Sequence, residues 1–154
     1  MPALTLARAA VIADTALARG RAAGMLPLTV VVLDAGGHPV VLKREDGSGI
    51  LRADVALGKA WGALGMGQSS RTLRDRLADR PTFVNALAAA SAGRFVPVPG
   101  GVLVRDASGE VVGAVGISGD TSDKDEYCAI EGVKAAGLRP DPDQPAPTWA
   151  ESRL

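Results

Sequence analysis

Four polar residues follow a strand-like apolar run at residues 111–117 and are the first candidates for chemistry: Ser118, Asp120, Asp125 and Glu126. After a Ser-Gly-Asp break, Ser122 or Asp123 can cap a new helix by accepting from its free backbone N–H groups. A junction from strand to helix gathers backbone donors and carboxylates at one rim, where a small molecule can bind. The alternative is a plain connection whose acids only complement the helix dipole.

Glu126 is the residue of this group that the pattern places best for proton transfer. At 100° per residue it shares a helix stripe with Ile130 and Val133, so its side chain can face the core. A carboxyl group removed from water has a raised pKa and can exchange protons near neutral pH. The alternative is that Glu126 points outward at the helix end. The acids lack the spacing of a full oxygen-ligand loop, so we predict no metal site.

Three cationic residues are candidates for holding a carboxylate ligand: Arg44, Arg52 and Lys59. Arginine offers a bidentate fork and lysine a point charge. Lys59 lies among Ala, Gly and Trp61 rather than in a charged run, which favours a specific role, such as holding a carboxylate or an enolate oxygen. The alternative is a solvated helix face. Asp46, at the end of the arm that begins at His38, is a further ligand-binding candidate.

His38 can act as a ligand or a general base, because its unperturbed pKa lies near neutrality. The alternative is an exposed residue at the start of a strand. The run Pro99, Gly100 and Gly101 can present backbone N–H groups to an anion or a carbonyl oxygen, or it can be a plain bend. Cys128 has no histidine near it in sequence and is interpreted as a packing residue.

Composition excludes several classes of protein. The chain has 154 residues, which predicts one domain, and its 17 basic and 17 acidic residues give a net charge of zero. Without a basic run longer than a pair, no nucleic-acid partner is expected. One cysteine and one histidine exclude a disulfide framework and zinc-ligand spacing. The N-terminal segment lacks a continuous apolar stretch, so we expect a cytoplasmic protein that does not bind membranes.

The hydrophobic periodicity predicts the elements that must position these residues. Two segments with β-branched residues and Gly-containing turns read as hairpins, at residues 28–43 and 102–117. Helices are predicted at residues 5–24, 51–66, 69–79, 82–90 and 123–137. In the first helix, one stripe carries Leu6, Ala10, Ala13 and Leu17. Hairpins imply an antiparallel sheet, so the predicted fold class is α+β in a single domain.

Glycine and proline mark two further features. Gly58, Gly62 and Gly65 share one face of the second helix, which predicts that another backbone packs closely there, within the fold or across a subunit boundary. The domain is expected to span residues 1–138. Residues 139–154 form a Pro-rich tail without regular structure, or an arm that lays Trp149 on a neighbouring subunit.

Four motifs, taken in order, resemble the GlcG/HbpS family: VVLDAGGHPVVLKREDG, the Lys59-Ala60 helix, PGGVLV and GEVVGAVGISGDTSDKDEYCAIEGVKAAGL. This family also occurs as the C-terminal domain of PduO-type corrinoid adenosyltransferases, and the resemblance runs from the first helix to about Leu138. It implies a profilin-like antiparallel sheet with helices packed on its faces. It also implies homo-oligomers and, in some members, bound haem.

The resemblance leaves the haem ligand open. Some haem-binding relatives supply an axial histidine from the N-terminal helix, whereas residues 5–24 contain no histidine here. His38, a threonine or tyrosine oxygen, or the Cys128 thiolate can take that place. Arg44, Arg52 and Lys59 would pair with haem propionates.

Three functions follow from these observations. The first is a protein that binds haem or a small ligand, with its pocket at a subunit boundary. That pocket would be formed by residues 116–126, the Pro99 loop and residues 38–46. The second is a cofactor-independent isomerase, hydratase or lyase acting on a small carboxylate or carbonyl compound. It would use Glu126 or His38 for proton transfer, and Lys59 or Arg52 to hold the substrate. The third is an assembly protein without a ligand.

Overall fold

Helices and strands follow the predicted order as far as residue 138 in the computed structural model, which describes residues 4–154. Within those residues the helices are α1 Leu6–Ala22, α2 Arg52–Met66, α3 Ser70–Arg76, α4 Pro81–Ala90 and α5 Ser122–Ala135. The strands are β1 Thr29–Asp34, β2 Pro39–Arg44, β3 Gly101–Arg105, β4 Val111–Ser118 and β5 Arg139–Asp141. Both predicted hairpins form, β1 with β2 and β3 with β4.

The strands make one antiparallel sheet in the order β2-β1-β4-β3-β5. In the central pair, Thr29 lies opposite Ser118 and Asp34 lies opposite Gly113. The sheet therefore has a Ser118 end, where β4 runs into α5, and a turn end, where residues 35–38 join β1 to β2. Five residue steps along β1 separate the two ends by roughly 17 Å, at about 3.4 Å per residue.

Alternating residues of the strands feed two cores on opposite faces of the sheet. Val30, Val32, Val115 and Ile117 pack with α1 and α5 on one face, whereas Val31, Leu33 and Ala114 pack with α2 on the other. A smaller cluster of Leu73, Leu77 and Phe95 lies under α3 and α4. The predicted α+β domain, with an antiparallel sheet and helices on its faces, is confirmed.

Paired glycines bring α2 directly onto the sheet. Gly101 and Gly116 are opposite each other in the register of β3 and β4. A Cβ atom on Gly116 would overlap the carbonyl oxygen of Ala56, and one on Gly101 would overlap that of Lys59. Only glycine permits this approach, because the α2 backbone occupies the space of a side chain. As a result, the backbone at Lys59 lies directly against β3.

The predicted apolar stripe of α1 is rotated from the face that is buried. Leu6 is 66% exposed, and the buried residues are Ala9, Ile12, Ala13, Ala16 and Gly20. The reason lies in α5, where a Cβ atom on Gly132 would overlap the carbonyl oxygen of Ile12. The two helices approach so closely that small residues, rather than leucines, form the contact.

The expectation that residues 139–154 lack regular structure is wrong. β5 pairs with β3, which would otherwise be an edge strand with unpaired backbone groups, and the Arg105 guanidinium pairs with Asp141 at 2.9 Å. A 3-10 turn covers Trp149–Glu151. The Trp149 ring stacks on Tyr127 of the same chain, with centroids 3.7 Å apart, rather than extending from the fold. The division of the chain at residue 138 stays a prediction.

Candidate functional site

The beginning of α5 is organised by Thr121 and Asp120. The Thr121 hydroxyl caps the helix by accepting from the backbone N–H of Lys124. The prediction that Ser122 or Asp123 is the cap is therefore wrong. Asp120 accepts from the backbone N–H groups of Leu26 at 2.9 Å and Thr121 at 2.7 Å. Burial opposes ionisation of Asp120, but these amides hold its pKa below the usual range. Its carboxylate thus joins α5 to the segment before β1.

Lys59 and Asp125 form a buried ion pair at the Ser118 end. Their side chains are 2% and 1% exposed, and the Lys59 ammonium donates to Asp125 Oδ2 at 3.1 Å and to the Ile117 carbonyl at 2.9 Å. Asp125 Oδ1 accepts from the Asp120 backbone N–H. Burial lowers the pKa of Lys59, and burial raises the pKa of Asp125 to about 6, each against the attraction of its partner.

The predicted loop of Pro99, Gly100 and Gly101 closes over this pair. A Cβ atom on Gly100, whose φ is +122°, would lie 2.9 Å from the Lys59 ammonium. The Gly101 backbone N–H donates to the Ser70 hydroxyl at 2.7 Å, and the Gly100 carbonyl accepts from Ile117. These backbone groups are therefore used within the fold, where they cover Lys59 rather than face a ligand.

Glu126 forms a second ion pair with Arg71, a residue that the sequence did not single out. The fully buried carboxylate accepts from Arg71 Nη2 at 2.6 Å and from Nε at 3.0 Å. Arg71 is 26% exposed and also donates to the Gln144 carbonyl. Burial raises the pKa of Glu126 against the opposing effect of Arg71. Glu126 therefore faces inward, in contrast to the outward alternative.

Arg52 completes what we call the interlayer charge cluster. Its guanidinium donates to the buried Ser118 hydroxyl at 3.1 Å. The cluster joins helices on opposite faces of the sheet and comprises Arg52, Lys59, Arg71, Ser118, Asp120, Asp125 and Glu126. In residues 4–154 every buried side-chain nitrogen or oxygen has a hydrogen-bond partner. A ligand that reached this end would contact Arg52 and Arg71, because these two side chains are partly exposed whereas Lys59 and Asp125 have almost no contact with solvent.

Arg44 and Asp46 lie at the surface of the same sheet end. Both are exposed and border an open hollow of about 450 Å³ with Arg21, Pro27 and Glu45. Arg21 pairs with Glu45 at 2.9 Å. The hollow therefore carries charges of both signs and has no apolar wall beyond Pro27.

His38 lies at the turn end, away from the other predicted site residues. Its side chain is 80% exposed, and Nδ1 is 3.3 Å from Asp34 Oδ1. The His38 backbone N–H also donates to Asp34 and holds the pKa of that carboxyl below its usual range, against a small effect of burial. The structure thus divides the predicted residues between two sites, since His38 and Lys59 do not face one pocket.

An apolar groove, which we call the Trp61 furrow, lies beside the turn end. It consists of two adjoining hollows of about 260 and 130 Å³ that share Trp61 and Gly65. The larger is also lined by Gly62, Met66, Leu87, Ala90, Ser91 and Phe95, and the smaller by Ala35, Gly36, Gly37 and Leu64. The Arg94 guanidinium stacks on the Trp61 ring at 3.9 Å. The sequence did not predict this groove. The signal that could have revealed it is Trp61, one of only five aromatic residues in the chain, on a helix with a stripe of glycines.

The glycine stripe of α2 is explained within the chain. A Cβ atom on Gly58 would lie 2.6 Å from the Val96 side chain, and one on Gly62 would lie 2.9 Å from Phe95. At Gly65 the nearest atom, on Trp61, is 3.9 Å away. The segment before β3 therefore packs on two of the glycines, while the third leaves the furrow open.

Across residues 4–154, no helix has the length and hydropathy needed to cross a membrane. Within the same span, no group of three or more His, Cys, Asp or Glu side chains is arranged to hold a metal ion.

Comparison with known proteins places this architecture in a family. Residues 4–134 match the family described as haem degrading protein HbpS-like. An uncharacterized 15.0 kDa protein in the dhaT-dhaS intergenic region of Citrobacter freundii is 30% identical over 104 residues, which are 68% of this chain and 72% of that protein.

Solved structures agree with this match. The PduOC protein, crystallised as a heme complex, is 25% identical with a TM-score of 0.79, over 88% of this chain and 96% of that one. A double mutant of Streptomyces reticuli HbpS is 30% identical with a TM-score of 0.72, over 85% of each chain. Sequence, fold and extent of the match agree, and the chain belongs to the HbpS-like family.

Proposed function

We propose that this chain binds haem or a similar small ligand, in a pocket that is completed at a subunit boundary. The observation that carries the proposal is the likeness to PduOC, a heme complex, over nearly the whole of both chains. The match of residues 4–134 to the HbpS-like family supports it independently. Haem, when bound, would supply an iron centre capable of redox chemistry.

The donor atoms of the chain fit haem at His38. A histidine that ligates a metal usually engages its other ring nitrogen with a carboxylate or a carbonyl group. His38 has this arrangement, because Nδ1 lies against Asp34 and leaves Nε2 available. His38 would therefore hold the iron, and the aspartate would orient the ring.

The other donors considered from the sequence fit less well. Cys128 is buried against the Met25 sulfur, and burial raises the pKa of its thiol to about 12, so a thiolate does not form there at neutral pH. Tyr127 is stacked beneath Trp149. Met66, which lines the Trp61 furrow, is a thioether donor that the sequence did not suggest.

Exposure of His38 is the reason to place the pocket at a subunit boundary. An imidazole that is 80% exposed offers water free access to a bound iron. A second copy of the chain, packed against the turn end, would cover the ligand and exclude that water. The expected complex is therefore a homo-oligomer.

A second candidate function has one observation in its favour. Asp125, with a pKa raised to about 6 by burial, lies beside Lys59, and such a pair can exchange a proton near neutral pH. An isomerase, hydratase or lyase would need the Pro99–Gly101 loop to open and Arg52 to receive a substrate carboxylate. Solvent deuterium would then enter small 2-oxo or 2-hydroxy acids with the wild-type protein and not with Lys59→Met.

Haemin titration tests the proposed function. The wild-type protein should develop a sharp, saturable Soret band, and sedimentation should show the haem-bound species to be larger than one chain. His38→Ala should weaken haemin binding and shift the band, because the axial nitrogen is lost. Ser108→Ala, in the turn between β3 and β4, is the matched control and should bind as the wild type does. A broad absorbance increase that never saturates would overturn the proposal.

A further inference from the structure

We propose that residues 142–154 form a releasable strap, which closes the seam between α3 and α5 and seals the Arg71–Glu126 pair of the interlayer charge cluster from water. The inference does not depend on haem binding. It concerns residues that lie beyond the match to the HbpS-like family, which ends at residue 134.

The first contact of the strap lies on the Arg71–Glu126 pair itself. β5 brings the chain to Asp141 at the edge of the sheet. Soon after it, the Gln144 carbonyl accepts from Arg71 Nη2 at 2.7 Å, and the same nitrogen donates to Glu126 Oε1 at 2.6 Å. The strap therefore holds the guanidinium from outside, while the fully buried Glu126 carboxylate holds it from the interior.

The far end of the strap lies on the beginning of α5. The Trp149 ring stacks on Tyr127, with centroids 3.7 Å apart and ring planes within 6° of parallel. The Ser152 hydroxyl lies 2.6 Å from the hydroxyl of Thr121, the residue that caps α5. The strap thus contacts the helix before and after Glu126 in sequence, and it also contacts the arginine that is paired with Glu126.

The strap is held by few contacts, so it can be released without unfolding the domain. None of residues 142–154 is fully buried. Within the described residues 4–154, their backbone-to-backbone hydrogen bonds join strap residues only, such as the one from the Trp149 N–H to the Ala146 carbonyl. Segments with few buried contacts open at low free-energy cost. Release would leave β5 and the sheet in place and open the interlayer charge cluster between α3 and α5.

A disulfide that locks the strap provides the test. The side-chain oxygens of Thr121 and Ser152 are 2.6 Å apart, close to the sulfur–sulfur distance of about 2.05 Å in a disulfide. The double variant Thr121→Cys/Ser152→Cys should therefore be locked when oxidised and free when reduced. Cys128 is buried, and burial raises the pKa of its thiol to about 12, so it does not compete for the new pair. Both forms lack the Thr121 hydroxyl, so that loss cancels when they are compared.

Modification by phenylglyoxal, an arginine-specific reagent, measures release of the strap. Arg71, which is 26% exposed, should react several-fold faster in the reduced form than in the oxidised form, because the Gln144 carbonyl no longer holds its guanidinium. Arg74 on the same helix is the internal control. It is 46% exposed and pairs with Asp75, so it should react at the same rate in both forms.

Hydrogen exchange followed by mass spectrometry locates the opening. Trp149→Ala removes the stack on Tyr127 and should speed exchange in residues 119–128 by at least roughly tenfold, which corresponds to about 1.4 kcal/mol. Exchange in β1 and β4 should not change, because the sheet stays folded. Glu151→Ala, at an exposed position of the same 3-10 turn, is the matched control and should exchange as the wild type does.

Faster reaction of Arg71 on reduction, together with faster exchange confined to residues near the seam in Trp149→Ala, supports the strap. Equal reaction of Arg71 in the two forms overturns it, as does faster exchange throughout the sheet, which would mean that these residues open only when the whole domain unfolds. Failure of the new cysteines to form a disulfide, or a disulfide that joins two chains, overturns the contact between Ser152 and Thr121 within one chain. The comparison of oxidised and reduced forms does not require Trp149→Ala to fold.

Discussion

The two ends of the sheet use polar and apolar residues in opposite ways. At the Ser118 end, Lys59, Asp125 and Glu126 are buried and paired with groups of their own chain. At the turn end, His38 is exposed, and the Trp61 furrow presents apolar surface to solvent. The charged groups of the Ser118 end are thus paired within the chain, whereas apolar side chains at the turn end remain in contact with solvent.

This difference indicates which end of the sheet is suited to bind a ligand. A buried charge is tolerated only when a partner and hydrogen bonds replace water, so the interlayer charge cluster has little left to offer another molecule. Exposed apolar surface gains free energy when something covers it. The shifted pKa values of Lys59, Asp125 and Glu126 are of the kind found in active sites, but buried structural ion pairs also produce them.

The largest effect is expected when the Lys59–Asp125 pair at the Ser118 end is broken. Lys59→Met leaves Asp125 buried without its cation and should lower the free energy of unfolding by roughly 3–5 kcal/mol. Urea denaturation at pH 7 measures it, with Lys43→Met as control, because Lys43 and its partner Asp14 are largely exposed. Adding Asp125→Asn to Lys59→Met should recover part of the loss. A loss below about 1 kcal/mol would mean that the pair does not hold the layers together.

Arg71→Ala should produce the next largest effect. The fully buried Glu126 would lose a two-pronged partner, at a cost of about 2–3 kcal/mol in the free energy of unfolding. Arg74→Ala, on the same helix, removes an exposed pair with Asp75 and should cost less than about 0.5 kcal/mol. If the two variants are equally stable in urea, the buried Arg71–Glu126 pair contributes no more to stability than the exposed Arg74–Asp75 pair, and the proposed difference between buried and surface pairs is wrong.

Acid–base behaviour should distinguish the Ser118 end as well. Because burial raises the pKa of Asp125 to about 6, the folded protein keeps a proton that the unfolded chain has lost between about pH 4 and 6. The free energy of unfolding of the wild type should therefore fall, relative to Asp125→Asn, as the pH rises through this window. Both proteins retain Glu126, so the titration of Glu126 cancels in the difference. A difference that stays flat or rises would contradict the raised pKa.

The smallest effect is expected for glycine substitutions in α2 beside the turn end. Gly65→Ala should raise the free energy of unfolding by about 0.5–1 kcal/mol, because the helix gains a better residue at a position with free space. Gly58→Ala should instead lower it by about 1 kcal/mol, because the new Cβ atom would press on Val96. Thermal unfolding of the two variants gives the signs, and equal signs would show that the furrow is not open at Gly65.

Local patterns were sufficient for most of the fold. Gly-containing turns predicted both hairpins, and the helices predicted at residues 51–66 and 82–90 lie within one residue of the bounds of α2 and α4. Hydrophobicity alone predicts the wrong stripe on α1, because close packing on α5 selects small residues such as alanine and glycine. The prolines of residues 139–154 predict irregular structure. They do not reveal that β3 would be an unpaired edge strand without β5, and this pairing orders the start of the tail.

Candidate residues were found more readily than their partners. Lys59 and Glu126 stood out by their position in apolar stripes, but Arg71 lies in a charged stretch that resembles any exposed helix. Arg71 and Glu126 are 55 residues apart, and no local pattern relates residues at that separation. Arg94 was missed for the same reason, since its stacking on Trp61 depends on how the segment before β3 crosses α2.

The sequence by itself determined the elements and their order as far as residue 138, and the family, because turns and periodicity act between near neighbours. Tertiary structure alone decided that Lys59 reaches Asp125, 66 residues away, at the end of the sheet where glycines leave room for it. It also decided that His38 and Lys59 lie at opposite ends. The physical reason is that strand register and layer packing set distances between residues, and these depend on the whole chain at once.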